Sequence, residues 1–184
     1  MIRQLLDGET VTFAGDHYRL VEERCDPAPI QPSMHLLVGG AGRRVHRVAA
    51  RHADAVGFTG VGRTLEDGQR HDPSGFRAGR VDDDVAAVRA AAVGRSSPLE
   101  LQVLVQAVVV TDDAHGTAEQ ISRSRLPSLT ADDVLSTPYL MVGSAATLVE
   151  RLIEQRERWG FSHYTVRQDA LGQLEPVIAA LAGR

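Results

Sequence analysis

The amino-acid sequence predicts an α/β fold with parallel strands, and three observations support this class. Short apolar runs alternate with segments of helical spacing, which is typical of parallel strands joined by right-handed helical crossovers. A run of glycines separates the first core strand from the helix that follows it. Finally, four runs qualify as core strands: Met34–Val38, Ala55–Phe58, Leu99–Val110 and Phe161–Val166.

The first 33 residues are predicted to be a leader within a single domain that spans residues 1–184. Met1–Leu6 carries apolar residues on one helical face, and Gly8 stands where a left-handed residue ends a helix. Glu9–Leu20 alternates apolar and polar residues around a Gly-Asp turn, which predicts a hairpin. Cys25–Ser33 contains three prolines and is predicted to be an extended connector. Because the first helix ends so near the N-terminus, we expect sequence to be missing upstream.

The glycine-rich stretch Gly39–Gly42 lies between the first core strand and a predicted helix, Arg43–Ala53. Such a turn exposes backbone amides at a helix N-terminus, where the helix dipole favours an anion. Arg43 and Arg44 add two guanidinium groups beside it. The stretch therefore predicts a phosphate site. It is not a dinucleotide fingerprint, because Val45 stands where a third glycine is required.

The rest of the chain is predicted to be mostly helical outside the core strands. Thr59–Gly79 is a long polar loop, which favours a functional role. Asp82-Asp83-Asp84 is predicted to place negative charge at the start of a helix that runs to about Val93. Pro138–Gly143 is predicted to be a connector. The other predicted helices are Thr111–Arg125, Thr130–Leu135 capped by Thr130, Ala145–Trp159 capped by Ser144, and a last helix that Glu175-Pro176 opens and that ends at Leu181.

Composition and charge exclude several classes of protein. The 184-residue chain has a net charge of −4, which gives no support for a nucleic-acid surface. All 20 basic residues are arginines, so a lysine Schiff base and a lysine-bearing phosphate loop are excluded. Cys25 is the only cysteine, which excludes an internal disulfide and a cysteine-based metal site. No stretch resembles a signal peptide or a membrane span, and we expect a cytoplasmic protein without a bound metal.

Several polar residues are weaker candidates for a functional role. His46 and His52 lie six residues apart, which is the wrong interval for shared metal ligands, and surface or packing roles are favoured. His35 borders the first core strand and keeps a possible role at the site. Gln102 and Gln106 either line a cofactor channel or are buried with hydrogen bonds. Cys25 and Trp159 are interpreted as structural, Trp159 as a packing anchor.

The sequence resembles the luciferase-like flavin and deazaflavin oxidoreductases along nearly its whole length. The resemblance rests on several segments in the right order, of which the glycine turn Leu36–Arg44 and the following helix and strand Ala49–Phe58 are central. The sequence of Val56–Gly60 is similar to that of the branch that uses the deazaflavin coenzyme F-420. The other matching segments are Leu5–Tyr18, Pro29–Pro32, Val142–Ser144, Val149-Glu150 and Trp159–Phe161.

The resemblance implies the second half of a TIM-type (β/α)8 barrel, here a partial barrel with about four core strands. It implies a cofactor phosphate at Gly39, Gly40, Ala41, Gly42 and Arg43, with coenzyme F-420 preferred over FMN. It also implies an oxidoreductase that acts on a small organic substrate. Catalytic residues are expected in the first half of the barrel, so none is assigned here.

Two alternatives to a complete enzyme remain open. A half barrel leaves two sheet edges unpaired, which predicts a homodimer, a companion chain that completes the barrel, or poor solubility. The chain would then be a catalytically incomplete fragment or a cofactor-binding module that needs a partner. A small α/β protein that binds a phosphosugar is a further possibility, because an anion site does not identify what carries the phosphate.

Overall fold

The computed structural model describes residues 1–62, 64–66 and 71–183 of the chain. Two compact units divide it, Met1–Leu36 and Leu37–Arg184. Part of the predicted loop Thr59–Gly79 lies outside the described residues. No described helix has the length and apolar character that crossing a membrane requires.

The first unit contains a short helix and a two-stranded hairpin. Helix α1 (Ile2–Leu6) is followed by Gly8, whose φ of 82° is the left-handed conformation that the sequence predicts for this position. Strands β1 (Val11–Ala14) and β2 (Arg19–Glu23) pair in antiparallel fashion. The predicted hairpin is therefore confirmed, although its second strand continues beyond Leu20.

The second unit alternates strands and helices. Short 3₁₀ helices at Pro73–Phe76 and Gln168–Ala170 precede its second and last α-helices. Its elements in chain order are β3 (Leu37–Gly40), α2 (Arg43–His52), β4 (Ala55–Phe58), α3 (Ala78–Ala91), β5 (Glu100–Leu104), β6 (Ala107–Val110), α4 (Ala114–Arg125), α5 (Ala131–Ser136), β7 (Leu140–Gly143), α6 (Ala145–Trp159), β8 (Phe161–Thr165) and α7 (Leu171–Leu181).

Four strands form one parallel sheet in the order β3-β4-β5-β8. Every neighbouring pair in this sheet is parallel, as the alternation of strands and helices predicts. All residues of the inner strand β4 are buried. Among the described residues, β3 pairs only with β4 and β8 only with β5, so the sheet is open at both edges. The prediction of an α/β fold with a partial parallel barrel is thus confirmed.

An aromatic cluster lies between the sheet and the helices. The rings of Phe58 and Phe161 are 5.3 Å apart, and the ring of Trp159 lies 5.7 Å from that of Phe161. Phe58 is 1% exposed and Phe161 is 0% exposed. Tyr164 adds an edge contact to Phe161 at 6.4 Å. Because these residues come from β4, α6 and β8, the cluster links three elements that are distant in sequence.

The prediction of a single strand at Leu99–Val110 is wrong in one respect, because this segment forms two strands, β5 and β6. The amide of Val105 donates to the carbonyl of Thr165 at 2.9 Å, whereas the next amide, Gln106, donates to Tyr139 at 2.8 Å. The chain therefore changes partners within one residue. The predicted connector Pro138–Gly143 is also wrong, since it contains the buried strand β7, which pairs in parallel with β6.

Three other boundaries differ from the predicted ones. Strand β3 extends through Gly39 and Gly40, so only Ala41 and Gly42 form the turn before α2. Helix α3 begins at Ala78, which puts the three aspartates in its second turn rather than at its start. Helix α7 begins at Leu171 and contains Pro176 in its interior. Burial of Leu174 and Val177 on one face favours this longer helix despite the hydrogen bond that proline removes.

The predicted helix caps are confirmed. Thr130 and Asp133 form a reciprocal capping box at α5. Ser144 accepts a hydrogen bond from the amide of Thr147 at 3.2 Å and caps α6. Gly160 ends α6 with a φ of 79°. These caps depend on residues within a few positions of the helix end, which is why the sequence predicts them well.

Trp159 is a packing anchor, as predicted, and it also takes part in a polar clamp between α3 and α6. Its ring nitrogen donates to Asp82 at 2.7 Å, and Arg158 donates to both carboxylate oxygens of Asp82 at 2.9 and 2.6 Å. The guanidinium of Arg158 lies 4.7 Å from the centre of the Trp159 ring. The hydrogen bonds from Arg158 are the largest effect and lower the pKa of Asp82. Burial opposes them, and the hydrogen bond from Trp159 lowers the pKa further.

We expect Asp82→Asn to lower the free energy of unfolding at pH 7 by about 1 kcal/mol, because the clamp is partly exposed to solvent. Since the pKa of Asp82 is lowered in the folded state, its contribution is present above its ordinary pKa and is lost as the pH falls through the lowered one. The difference between the variant and the wild type should therefore shrink below about pH 4. Thermal melts from pH 3 to 7 measure it, with the exposed Asp83→Asn as control. An unchanged difference at pH 3 contradicts the assignment.

Candidate functional site

A cavity of about 740 Å³ lies at the carboxyl ends of β3 and β4. Its walls are two glycine-containing segments, Gly40–Gly42 and Gly60–Gly62, and a set of polar and aromatic side chains from α2, from α3 and from the segments before α3 and β7. Ligands of open parallel sheets bind at this end of the strands. The side chains of interest are His46, Asp72, Ser74, Arg80, Asp84 and Tyr139.

The N-terminus of α2 borders the cavity and carries no capping side chain. Gly42 is the N-cap, with a φ of 98° that favours glycine, and it has no side chain to accept a hydrogen bond. The first turn contains no acidic residue. The first backbone amides of a helix have no partner within the helix. This end of α2 therefore offers amides and the positive end of a helix dipole to an anion.

His46 is buried in the wall of the cavity with one ring nitrogen unpaired. It is 3% exposed, and its ring lies 4.7 Å from that of Phe58. Nε2 lies 3.1 Å from the carbonyl oxygen of Gly40, and because a carbonyl can only accept, Nε2 carries the proton. Nδ1 is then a buried acceptor without a donor among the described residues. Burial lowers the pKa of His46 and so favours the neutral ring. The charge of Asp84 acts in the opposite direction.

Asp84 supplies a second unpaired acceptor to the same cavity. It is 8% exposed, and its Oδ2 accepts a hydrogen bond from Nε of Arg80 at 3.2 Å. Its Oδ1 is buried and has no partner in the described part of the chain. Buried polar atoms are nearly always hydrogen-bonded in folded proteins. Two unpaired acceptors in one cavity therefore indicate a ligand that brings donors, such as hydroxyl groups.

Close backbone packing shapes the far wall of the cavity. A Cβ atom at Gly60 would lie 2.5 Å from the ring of Tyr139, and one at Gly75 would lie 2.6 Å from the carbonyl oxygen of Gly60. Gly60 also has a φ of 65°, in the left-handed region. Tyr139 is 3% exposed, and burial raises the pKa of its hydroxyl well above the ordinary value, so the hydroxyl stays protonated.

A second cavity, of about 650 Å³, lies among β6, β7 and α4. Most of its wall is apolar, with Phe76, Ile121 and Leu140 among the lining side chains. It shares Val61 and Asp72 with the first cavity. A polar compartment and an apolar one therefore adjoin in the same unit.

The predicted phosphate-site residues take different positions. Gly40, Ala41 and Gly42 line the polar cavity. Gly39 lies inside β3, and Arg43 is exposed on the first turn of α2, so neither belongs to the cavity wall.

The weaker candidates are mostly structural. Gln102 is 5% exposed and donates to Val103 and Thr165, which makes it a hydrogen-bonded core residue. Gln106 donates to the carbonyl of Thr59 at 3.0 Å and lines the apolar cavity. His52 is exposed, His35 belongs to the first unit, and Cys25 is a free thiol. The described residues contain no group of three or more side chains that could hold a metal ion.

Sequence reasoning missed His46 and Asp84 as residues of the site. It assigned His46 a surface or packing role, and the ring does pack, but the unpaired Nδ1 is visible only in three dimensions. A signal was nevertheless present. His46, Ala49 and Ala50 lie at helical spacing and form the buried face of α2, and Asp84 follows the same rule with Val81 and Val88 on α3.

The comparisons with known proteins agree with this fold. The monooxygenase RslO1 from Streptomyces bottropensis is similar over 90% of this chain and 50% of its own, with 18% identity and a TM-score of 0.60. An F-420-dependent secondary alcohol dehydrogenase, solved with an F-420–acetone adduct, covers 90% of this chain and 52% of its own, with 18% identity and a TM-score of 0.59. The riboflavin lyase RcaE, solved with modified FMN and riboflavin, shows 15% identity, a TM-score of 0.57 and coverage of 93% and 48%.

These solved structures show a shared fold, and the chain spans about half the length of each. Comparison with curated proteins gives no match. The family model described as luciferase-like monooxygenase matches residues 1–163. Since that match extends over most of the sequence, the chain belongs to the luciferase-like monooxygenase family.

Proposed function

We propose that the chain functions as an oxidoreductase that acts on a small organic substrate. It uses a flavin-type cofactor, coenzyme F-420 in preference to FMN. The observation that carries this proposal is the polar cavity, in which His46 Nδ1 and Asp84 Oδ1 are buried acceptors without donors. Family membership supplies the class of chemistry. When bound, the cofactor supplies hydride transfer, or hydride and oxygen chemistry in the case of FMN.

The residues of the cavity fit the part that both cofactors share, a ribityl chain that ends in a phosphate. The first backbone amides of α2, which have no partner within the helix and no capping side chain at Gly42, suit the phosphate. The acceptors on His46 and Asp84 suit the hydroxyl groups of the ribityl chain. Arg80 neutralises Asp84 on its other oxygen, which reduces the repulsion between that carboxylate and a nearby phosphate.

Three further parts of the proposal have separate support. The adjoining apolar cavity is proposed to receive the substrate, since Val61 and Asp72 belong to the walls of both cavities. The preference for F-420 is supported by the resemblance of Val56–Gly60 to the branch that uses it. A cytoplasmic location is supported by the use of one cysteine in 184 residues.

We expect Asp84→Asn to weaken binding of F-420 about tenfold, because the variant replaces a charged acceptor with an amide. The exposed Asp83→Asn, on the same helix, is the matched control and should stay within twofold. Isothermal titration with F-420 and with FMN measures both, followed by assays with each reduced cofactor. Equal affinities of the two variants contradict the proposed site. Binding without turnover would favour a cofactor-binding module, and turnover would exclude that alternative.

We also propose that the open edges of the sheet, at β3 and β8, are covered by a second copy or by a companion chain. Exposed strand edges carry unpaired amides and carbonyls that pair readily with another strand. Light scattering of the purified chain is expected to show a dimer, or poor solubility in the absence of a companion. A well-behaved monomer that melts cooperatively would contradict this proposal.

A further inference from the structure

The apolar cavity is bounded on one side by α4, and the residues of α4 that line it are mostly polar. Thr117, Gln120, Ile121 and Ser124 belong to the cavity wall and recur at helical spacing, so they share one face of the helix. Arg125, the last residue of α4, lies at the edge of this face and also lines the cavity. We call these five residues the α4 wall.

The α4 wall carries hydrogen-bond donors that have no partner inside the chain. Among the described residues, the side chains of Thr117, Gln120 and Arg125 take part in no hydrogen bond or ion pair. The nearby Arg123 differs, because it pairs with Glu119 at 2.9 Å, one turn earlier in the helix. The residue one turn before Arg125 is apolar, so no such pair can form there. Unpaired donors on the wall of a cavity indicate a ligand that brings acceptors.

The rest of the cavity wall is largely apolar. Phe76 and Leu140 are each 6% exposed, and Val109 of β6 lines the cavity with them. Gln106 is a polar exception, but its amide already donates to the carbonyl of Thr59. The volume of about 650 Å³ is in the range that encloses a drug-sized molecule. A ligand of this cavity therefore has an apolar body, and its acceptor atoms lie along the α4 wall.

A pair of aromatic rings places this cavity next to the polar one. Phe76 lines the apolar cavity and Tyr139 lines the polar cavity, and their rings are 5.2 Å apart. The two cavities thus share a wall that is about as thick as these packed rings. A molecule in the apolar cavity lies beside a cofactor in the polar cavity, as a substrate must.

We propose that the apolar cavity binds an elongated apolar ketone that carries a carboxylate. This inference rests on the proposed function and names the class of its substrate. Arg125 holds the carboxylate through charge-assisted hydrogen bonds, and the amide of Gln120 donates to the carbonyl oxygen of the ketone. These two residues are separated by roughly 7–8 Å along the helix axis, which sets the spacing of the two groups in the ligand. The hydroxyl of Thr117, one turn earlier, is placed for a further carbonyl oxygen.

The test uses 4-benzoylbenzoate, in which a ketone joins two aromatic rings and one ring carries a carboxylate. Two analogues isolate its polar groups, because 4-benzylbenzoate lacks the ketone oxygen and benzophenone lacks the carboxylate. In calorimetric titrations of the purified chain, we expect each analogue to bind about fivefold more weakly than 4-benzoylbenzoate.

Two variants assign these effects to the α4 wall. Arg125→Gln should weaken the binding of 4-benzoylbenzoate about fivefold and leave the affinity for benzophenone unchanged. Arg123→Gln makes the same change of charge in the same turn of the helix, and it should bind all three compounds as the wild type does. Gln120→Leu should remove the preference for 4-benzoylbenzoate over 4-benzylbenzoate.

Irradiation with near-ultraviolet light locates the bound probe. The excited ketone abstracts a hydrogen atom from a neighbouring C–H group, and the two radicals then join, so that the ketone becomes a tertiary alcohol bonded to the protein. Mass spectrometry of the digested protein is expected to find the label in peptides from α4 and β6. A label confined to other peptides would overturn the assignment of the cavity.

The outcomes separate this inference from the proposed function, because F-420 is titrated into the same wild-type protein. If F-420 binds but the three compounds bind equally or not at all, the substrate class is wrong while the cofactor site stands. The same conclusion follows if Arg125→Gln keeps the full affinity for 4-benzoylbenzoate. If the probe binds as expected and F-420 does not, the proposed function fails. Unchanged binding of benzophenone to Arg125→Gln shows that this variant is folded.

Discussion

Phe161→Ala is expected to lower the free energy of unfolding by about 3–5 kcal/mol. Phe161 is fully buried, and its ring contacts three other aromatic rings, those of Phe58, Trp159 and Tyr164. Truncation removes these contacts and leaves a cavity that the surrounding strands cannot fill, because β4 and β5 are fixed by their ladder. A domain of this size is stabilised by roughly 5–15 kcal/mol, so one such change removes a large share.

Urea unfolding measures this loss through a convenient probe. Trp159 is the single tryptophan of the chain, and its ring lies 5.7 Å from that of Phe161. Its fluorescence therefore reports on the cluster, and far-ultraviolet circular dichroism reports on the whole fold. Phe161→Leu keeps most of the volume and should lose only about 1–1.5 kcal/mol. A loss of less than 1 kcal/mol for Phe161→Ala would contradict the central role given to the cluster.

The parts of the fold that the sequence predicts well are those that local chemistry decides. Thr130 and Asp133 satisfy each other's amides across three residues, and Ser144 caps α6 in the same way. The alternation of strands and helices leads to a parallel sheet because few other arrangements bury such strands. None of these features depends on a residue distant in the chain.

The parts that the sequence does not predict depend on distant partners. No local sequence pattern marks the break after Val105. The break arises because the amide of Val105 donates to the carbonyl of Thr165, whereas the next amide donates to that of Tyr139. Strand β7 was hidden for the same reason, since a run of three apolar residues becomes a strand only beside β6. The polar cavity shows the same limit. A turn of glycines indicates an anion, but the two unpaired acceptors that lie beside it come from different helices.

The second large effect concerns the first turn of α2, where we expect stability and cofactor affinity to change in opposite directions. Arg43→Glu combined with Arg44→Glu should raise the free energy of unfolding by about 1–2 kcal/mol. The change removes like charges near Arg47 and places negative charge at the positive end of the helix dipole. The same change should weaken phosphate binding roughly tenfold or more, since two attractions become two repulsions.

A charge reversal at the other end of a helix provides the matched control. Arg123 lies in the last turn of α4, where its positive charge is favourable, and it pairs with Glu119 at 2.9 Å. Arg123→Glu should therefore lower stability and leave cofactor affinity unchanged. Thermal melts and titration with F-420 measure both quantities for both variants. If the double variant gains stability and keeps full affinity, the N-terminus of α2 is an ordinary helix end and the phosphate lies elsewhere. If stability and cofactor affinity both fall in the double variant, the two arginines stabilise the fold directly. Their positive charge then has no role in binding an anion.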